Sequence, residues 1–249
     1  MPVEFVNDFY MSGNTAVGNY YGSTNAQQYY NAGHFVQYFL QKGWKLGAIC
    51  GMLGNMQIES SMNPALIEGN GRQYVPDHAA VLTSMTNSVM LDFYKEAHPE
   101  YTGSGNPFGL GIVQWTGHNA SGSVPYGQKY VAFAISECNN TPWYYGQNQM
   151  ARIFYEEENE LQWEPKILDS TVWYWWNFTG IEEPQFAAHV FMVCYERPVY
   201  TTESMQRRAA NAQRYYDYFT SHPYITRGAL LTILGKKDQK KCKTIIYRP

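Results

Sequence analysis

The segment Leu46-Gly-Ala-Ile-Cys-Gly-Met-Leu-Gly-Asn-Met-Gln-Ile-Glu-Ser60 constrains the fold more than any other part of the chain. Leu46, Ile49, Cys50, Leu53, Met56 and Gln57 recur at the spacing of one stripe on a 3.6-residue helix, which predicts a helix from about Lys45 to Ser60. Gly47, Gly51 and Gly54 interrupt it, and a glycine costs about 1 kcal/mol in a helix interior. Small residues at that density are expected where another backbone packs directly against the helix. The segment is therefore predicted to be a central, buried helix. It should end by Asn63, because Pro64 biases its predecessor away from helical angles.

The rest of the chain fits around this helix. Tyr29/Tyr30, Phe35, Tyr38 and Phe39 mark a first helix from about Asn25 to Gln41, stopped by Gly43. Further helices are expected at about Asn87 to Ala97, 128–138, 147–163, 184–195 and 203–220. In the fourth of these Pro184 suits the first turn and Pro198 lies past the end; the last places Met205, Ala209, Ala212, Tyr216 and Phe219 on one face. Between them, Asn106 to Thr116 reads as a turn followed by a short strand or extended loop. The expected class is mainly α with a small extended or β region in the middle. Residues 1–24, rich in Gly, Asn and Tyr, are expected to be a loop or docking arm, 25–221 the extent of the domain, and 222–249 a basic C-terminal tail.

At 249 residues the chain is long enough for one principal core. Charged residues are scarce at 16% and aromatic residues equally frequent, which excludes a disordered chain. The longest apolar stretch, Phe186 to Tyr195, contains His189 and is far below the roughly 18 residues of a membrane span. The opening MPVEFVNDFYMSGNT carries two acids and no base, unlike a secretory signal. A net charge of −3 gives no broad case for nucleic-acid binding. Five of the eighteen basic residues lie between Lys236 and Lys243, most simply a solvated tail. Cys50, Cys138, Cys194 and Cys242 are isolated and the histidines scattered without HExxH, so neither a metal centre nor a cofactor is expected.

Few residues are placed for chemistry. Glu59 falls at the edge of the apolar stripe, about 100° from its centre, on the last turn before Asn63-Pro64. Partial desolvation and the negative end of the helix dipole both favour the protonated acid there, as a general acid requires. The plainer alternative is a surface glutamate at a helix end. In Phe108-Gly-Leu-Gly-Ile-Val-Gln-Trp115 the two glycines permit close approach of a ligand, and Gln114 both donates and accepts hydrogen bonds. Trp115 provides a stacking face for a sugar ring or fills the core; strand alternation would point it away from Gln114. Trp143-Tyr144-Tyr145 and Trp173-Tyr174-Trp175-Trp176 line a carbohydrate groove or serve as core and docking surface. Glu156-Glu157-Glu158 reads as a solvated helix face, and Tyr195-Glu196-Arg197-Pro198 as a structural helix end.

Taken in order, Trp44, Ala48 to Gln57, Glu59-Ser60, Asn63-Pro64, Phe108 to Thr116 and Tyr195 to Pro198 resemble the phage tail lysozyme family over roughly residues 26 to 220. The nearest likeness is to the lysozyme domain of tail-knob peptidoglycan-degrading proteins in short-tailed phages. The resemblance implies a lysozyme-like fold for the 25–221 domain and cleavage of the β-1,4 bond between N-acetylmuramic acid and N-acetylglucosamine. It assigns the catalytic acid to Glu59 and glycan contacts to Gly111, Gln114 and, with them, Trp115. It implies a virion-tail location, with peptidoglycan strands and other tail proteins as partners and the enzyme opening the wall locally for genome ejection. No zinc cluster for a second, peptidase domain is present, so only the glycan should be cut.

The stretch from Asn63 to Phe108 has no block matching the family, and a second carboxylate would be expected there. Asp77 is the first candidate with Asp92, ahead of Glu68, Glu96 and Glu100. Retaining and inverting hydrolases need two carboxyls at different separations, whereas a lytic transglycosylase works with one glutamate, so the mechanism stays open. An endolysin and a non-catalytic tail protein on the same scaffold are the remaining alternatives.

Overall fold

The computed structural model describes residues 25–69, 86–97, 108–116, 124–159 and 162–223. The expected arm over 1–24 and all but the first two residues of the expected tail lie outside them. Eight α-helices are present among the described residues: α1 (Asn25–Gln41), α2 (Leu46–Ser60), α3 (Asn87–Ala97), α4 (Tyr126–Ser136), α5 (Gly146–Asn159), α6 (Trp175–Phe178), α7 (Pro184–Phe191) and α8 (Thr202–Ser221). One small antiparallel sheet pairs β1 (Lys166–Leu168) with β2 (Thr171–Trp173). The fold is mainly α with a small sheet between α5 and α6, as the sequence predicts.

Helix α2 is the axis of the fold. Every residue from Gly47 to Met56 is buried, so the single apolar stripe of the sequence underestimates its enclosure. Helices α1, α7 and α8 all pack on it, and a helix surrounded on all sides needs no solvent face. The glycines explain how this is possible. A Cβ on Gly47 would lie 2.1 Å from the Glu182 carbonyl oxygen, on Gly51 2.5 Å from Ala187 Cβ, and on Gly54 2.5 Å from the Arg208 carbonyl oxygen. Two further helix backbones thus touch α2 where it has no side chain. Asn55, also buried, donates from its amide to the Gly51 and Ala188 carbonyls at 2.9 and 3.0 Å, stitching α2 to α7.

Beside this three-helix contact lies an aromatic core of Trp44, Trp163, Trp175, Phe178, Phe191 and Tyr195, all buried. Trp163 and Trp175 have centroids 4.3 Å apart, and Phe191 stacks on Tyr195 at 4.6 Å. Each buried ring of this size contributes on the order of 2 kcal/mol or more through the area it removes from water. Most of the abundant aromatic residues therefore serve packing. Cys50, Cys138 and Cys194 are free thiols, the first and third buried.

Two local structures depart from the expected pattern. Helix α7 does not continue as an α-helix to 195; it widens into a π-helical turn at Met192–Glu196, closed by left-handed Arg197, whose N–H donates to the Met192 carbonyl at 2.7 Å. Residues 108–116 form no strand. They make a tight turn with a single bridge, Ile67 to Leu110, while the strands form at 166–173.

Candidate functional site

Helix α2 ends abruptly beyond Glu59. Ser61 and Met62 both take left-handed angles, φ 51° and 62°, although neither is glycine. Such conformations persist only where the surroundings enforce them. Here the Asn31 amide donates to the Met62 carbonyl at 2.8 Å, and Asn63 accepts the Ala65 N–H at 3.0 Å. The chain after Glu59 is thereby turned into the 108–116 segment.

That segment is braced by several hydrogen bonds from the surrounding elements. Ser60 Oγ donates to the Ile112 carbonyl at 2.8 Å, joining it to the residue next to Glu59. Gln149 of α5 is fully buried, accepting the Ile112 N–H at 2.7 Å and donating to the Pro64 carbonyl at 2.7 Å. Glu68 binds the Gly109 N–H at 2.5 Å. Gly111, at φ 81°, lies so close to the Gln149 amide that a Cβ would stand 2.9 Å from it. Gln114 Nε2 donates to the Gly111 carbonyl at 2.6 Å and the Leu66 carbonyl at 3.3 Å.

Glu59 side-chain exposure is 21%, on the last turn, where Gln57 and Ile58 are also partly exposed, and its Oε1 accepts from Arg208 Nη2 at 2.5 Å. Arg208 of α8 is only 3% exposed and is fixed by Asn55 Oδ1 at 2.8 Å and Ser204 Oγ at 3.3 Å. A carboxylate with one oxygen clamped and no hydrogen bond to the other among the described residues is aimed rather than free to rotate. An open pocket of about 390 Å³ lies beside the same helix end, lined by Gln57, Ile58, Ser61, Arg207, Ala210 and Asn211. Glu59 is not in its lining.

The structure ties Ser60, next to Glu59, to Ile112 of the turn that carries Gly111 and Gln114, but gives Trp115 a different setting. Trp115 is fully buried, stacked on Tyr130 at 4.3 Å, and its indole N–H reaches Tyr195 Oη at 3.1 Å and Glu156 at 3.4 Å. It presents no face to a ligand and belongs to the core, because the turn at Gln114, φ 49°, replaces strand alternation. Asp77, Glu100 and the side chain of Glu96 lie outside what is described. Asp92 is exposed on α3, and Glu68 is engaged with Gly109.

Four groups were not anticipated. Glu156, read as a solvated face, is fully buried, accepting from Arg152 at 2.8 Å, from Tyr195 and from Trp115. Burial pushes its carboxyl upward while Arg152 and these donors oppose it. Gln149 and Arg208 are polar residues on buried faces; Arg208 shares its face with Ala212, Tyr215 and Phe219, one position off the stripe drawn from the sequence. The fourth is Glu196, at the end of the π-turn. Its Oε1 is closed off from solvent and has no hydrogen-bond partner among the described residues. Burial, then the nearby Glu59, pushes its carboxyl well above the usual range, against the pull of Arg208 and Arg197. Among the described residues no group of three or more His, Cys, Asp or Glu side chains is arranged to hold a metal ion, and no helix is long and apolar enough to cross a membrane.

A mainly helical domain whose buried central helix carries a partly exposed glutamate on its last turn is the class that fold and site define. The phage tail lysozyme family matches residues 30–219, and the chain belongs to that family. It is similar to Morphogenesis protein 1 of Bacillus phage B103, with 28% identity over 195 residues, or 76% of this chain and 39% of that relative. The match thus covers about two fifths of the relative's length.

Proposed function

We propose that the chain is a tail-associated peptidoglycan glycosidase that cleaves the β-1,4 bond between N-acetylmuramic acid and N-acetylglucosamine, opening the wall locally for genome ejection. Glu59 is the general acid: it gives its proton to the glycosidic oxygen as the bond to the sugar's anomeric carbon breaks. The observation that carries this reading is the placement of Glu59. Its carboxyl is a partly exposed acid on the last turn of a helix buried from Gly47 to Met56, held by Arg208 and one residue from the hydrogen bond to the braced turn. Family membership supplies peptidoglycan as the substrate class.

The Gly111 to Gln114 turn forms the wall next to the acid. Gly111 admits the buried Gln149 amide that braces this wall, and the side-chain carbonyl oxygen of Gln114 is the acceptor offered to a glycan hydroxyl or amide. Other tail proteins are the assembly partners and the virion tail is the location, in keeping with the morphogenesis protein to which the chain is similar. Digestion of purified peptidoglycan followed by mass spectrometry tests the reaction. Fragments with free reducing ends are expected; 1,6-anhydro ends would make the protein a lytic transglycosylase, and intact glycan would remove the enzymatic reading.

A further inference from the structure

The pocket at the end of α2 has no part in the proton transfer assigned to Glu59. Arg207 is the charged side chain of its lining, and no carboxylate lines it. Arg207 is exposed and makes no hydrogen bond or ion pair with any described residue. Glu59, the acid next to Ile58 in sequence, does not balance it, being paired with Arg208. The pocket thus holds a fixed positive charge that nothing among the described residues neutralises.

The rest of the lining is polar and small. Asn211 follows Arg207 by one turn of α8, so the two side chains share a face, and its amide is also unengaged among the described residues. Across the pocket, Gln57 Oε1 accepts from Tyr215 Oη at 2.6 Å, which leaves Nε2 to donate. Ile58 and Ala210 add short apolar surface. A guanidinium suits a carboxylate, side-chain amides suit peptide groups, and the apolar wall suits small side chains. No aromatic ring lines the pocket to stack on a sugar. Its volume of about 390 Å³ lies at the low end of small-ligand sites, about 300–1,000 Å³.

Its position matters as much as its chemistry. Ile58 and Ser61 lie on either side of Glu59 in sequence, and consecutive residues of α8 serve the two places: Arg208 holds the acid and Arg207 lines the pocket. In peptidoglycan, N-acetylmuramic acid carries on its lactyl group a short peptide with free carboxylates. An enzyme that cuts beside that sugar must accommodate this arm near its acid.

We propose that the pocket is a subsite for the peptide stem of N-acetylmuramic acid, in which Arg207 pairs with a stem carboxylate while Asn211 and Gln57 bond its amides. The proposal rests on the reading of the chain as a peptidoglycan glycosidase and deepens it. Arg207 is a specificity residue: it favours strands that bear peptide over bare glycan and takes no part in breaking the bond.

Titration of the full chain with a soluble N-acetylmuramyl tripeptide, followed by amide NMR, tests the subsite without any cleavage. Saturable shifts are expected at the Ile58 and Ser61 N–H groups and at the Asn211 side-chain amide, with affinity about fivefold lower in Arg207→Gln, as for an exposed ion pair. Absence of these shifts, or equal affinity in the two proteins, would overturn the proposal. So would the same shifts from an N-acetylglucosamine oligosaccharide, which carries neither peptide nor carboxylate. Cleavage then tests the specificity. Arg207→Gln should raise KM about fivefold more on intact peptidoglycan than on strands stripped of their peptides; an equal rise on both would overturn it. Should the unsubstituted protein cut no glycan, the glycosidase reading fails while the titration still decides the pocket.

Discussion

Arg208 Nη2 stands 2.5 Å from Glu59 Oε1 across the contact between α8 and α2, 149 residues apart in the chain. The guanidinium also holds Asn55, which in turn ties α2 to α7, so one side chain joins the three packed helices to the candidate acid. Arg208→Met should cost about 2–4 kcal/mol, since it leaves Asn55 Oδ1 buried without its donor. Arg208→Lys should recover little of this, because an ammonium does not span two acceptors as the planar fork does. Urea denaturation of both variants checks it; full stability in either contradicts the clamp.

The close approach of α7 to α2 gives a prediction of opposite sign to helix propensity. Gly51→Ala gains about 1 kcal/mol in intrinsic helix preference. The new Cβ would be 2.5 Å from Ala187 Cβ, an overlap that must push the helices apart. Net destabilisation of about 2 kcal/mol or more is expected from thermal or urea melts. A stabilised variant would mean that the helices are not in contact there.

Gln149 braces the turn from beneath. Gln149→Leu keeps the volume but leaves the Ile112 N–H and the Pro64 carbonyl without their partner, both buried. A loss of about 2–4 kcal/mol is expected, with faster amide exchange at Ile112 than in the unsubstituted protein. Unchanged exchange at Ile112 would show that the turn does not depend on this bond.

One buried and one half-buried group, His34 and Glu157, give the stability opposite pH slopes. Burial lowers His34 from 6.5 to about 4, so its contribution is complete above pH 6.5 and is lost as pH falls towards 4. Burial raises Glu157 to about 7, opposed by the hydrogen bond from Trp44, so its contribution is complete below pH 4.5 and is lost as pH rises towards 7. Melting temperatures between pH 4 and 7 should therefore climb less steeply in His34→Gln and more steeply in Glu157→Gln than in the unsubstituted protein. Parallel curves would contradict these environments.

The elements most visible in the sequence are those with strong local signals. Helix α2 announces itself through its spacing, and its glycines state in advance that other backbones touch it. The hairpin is silent because its turn, Asp169-Ser170, adopts left-handed angles at both positions without a glycine to mark them. Glu59 is legible because its position on the wheel and at the helix end coincide. Arg208, Gln149 and Glu156 are not, because the bonds that hold them inside the core include partners 37 to 153 residues away that no local pattern contains, and Glu196 is enclosed by a π-turn that the helical spacing does not show. Trp115 belongs to the same class: its burial follows from a turn at Gln114 that an alternating strand pattern conceals.

The most direct measurement is the release of glycan fragments from purified peptidoglycan by the unsubstituted protein and by Glu59→Gln, with circular dichroism and melting temperature confirming that both are folded. Glu59→Gln keeps an acceptor for Arg208 but has no proton to deliver, and should lose at least about a thousandfold in rate. Equal fragment release by the two folded proteins would contradict the assignment of Glu59 as the acid.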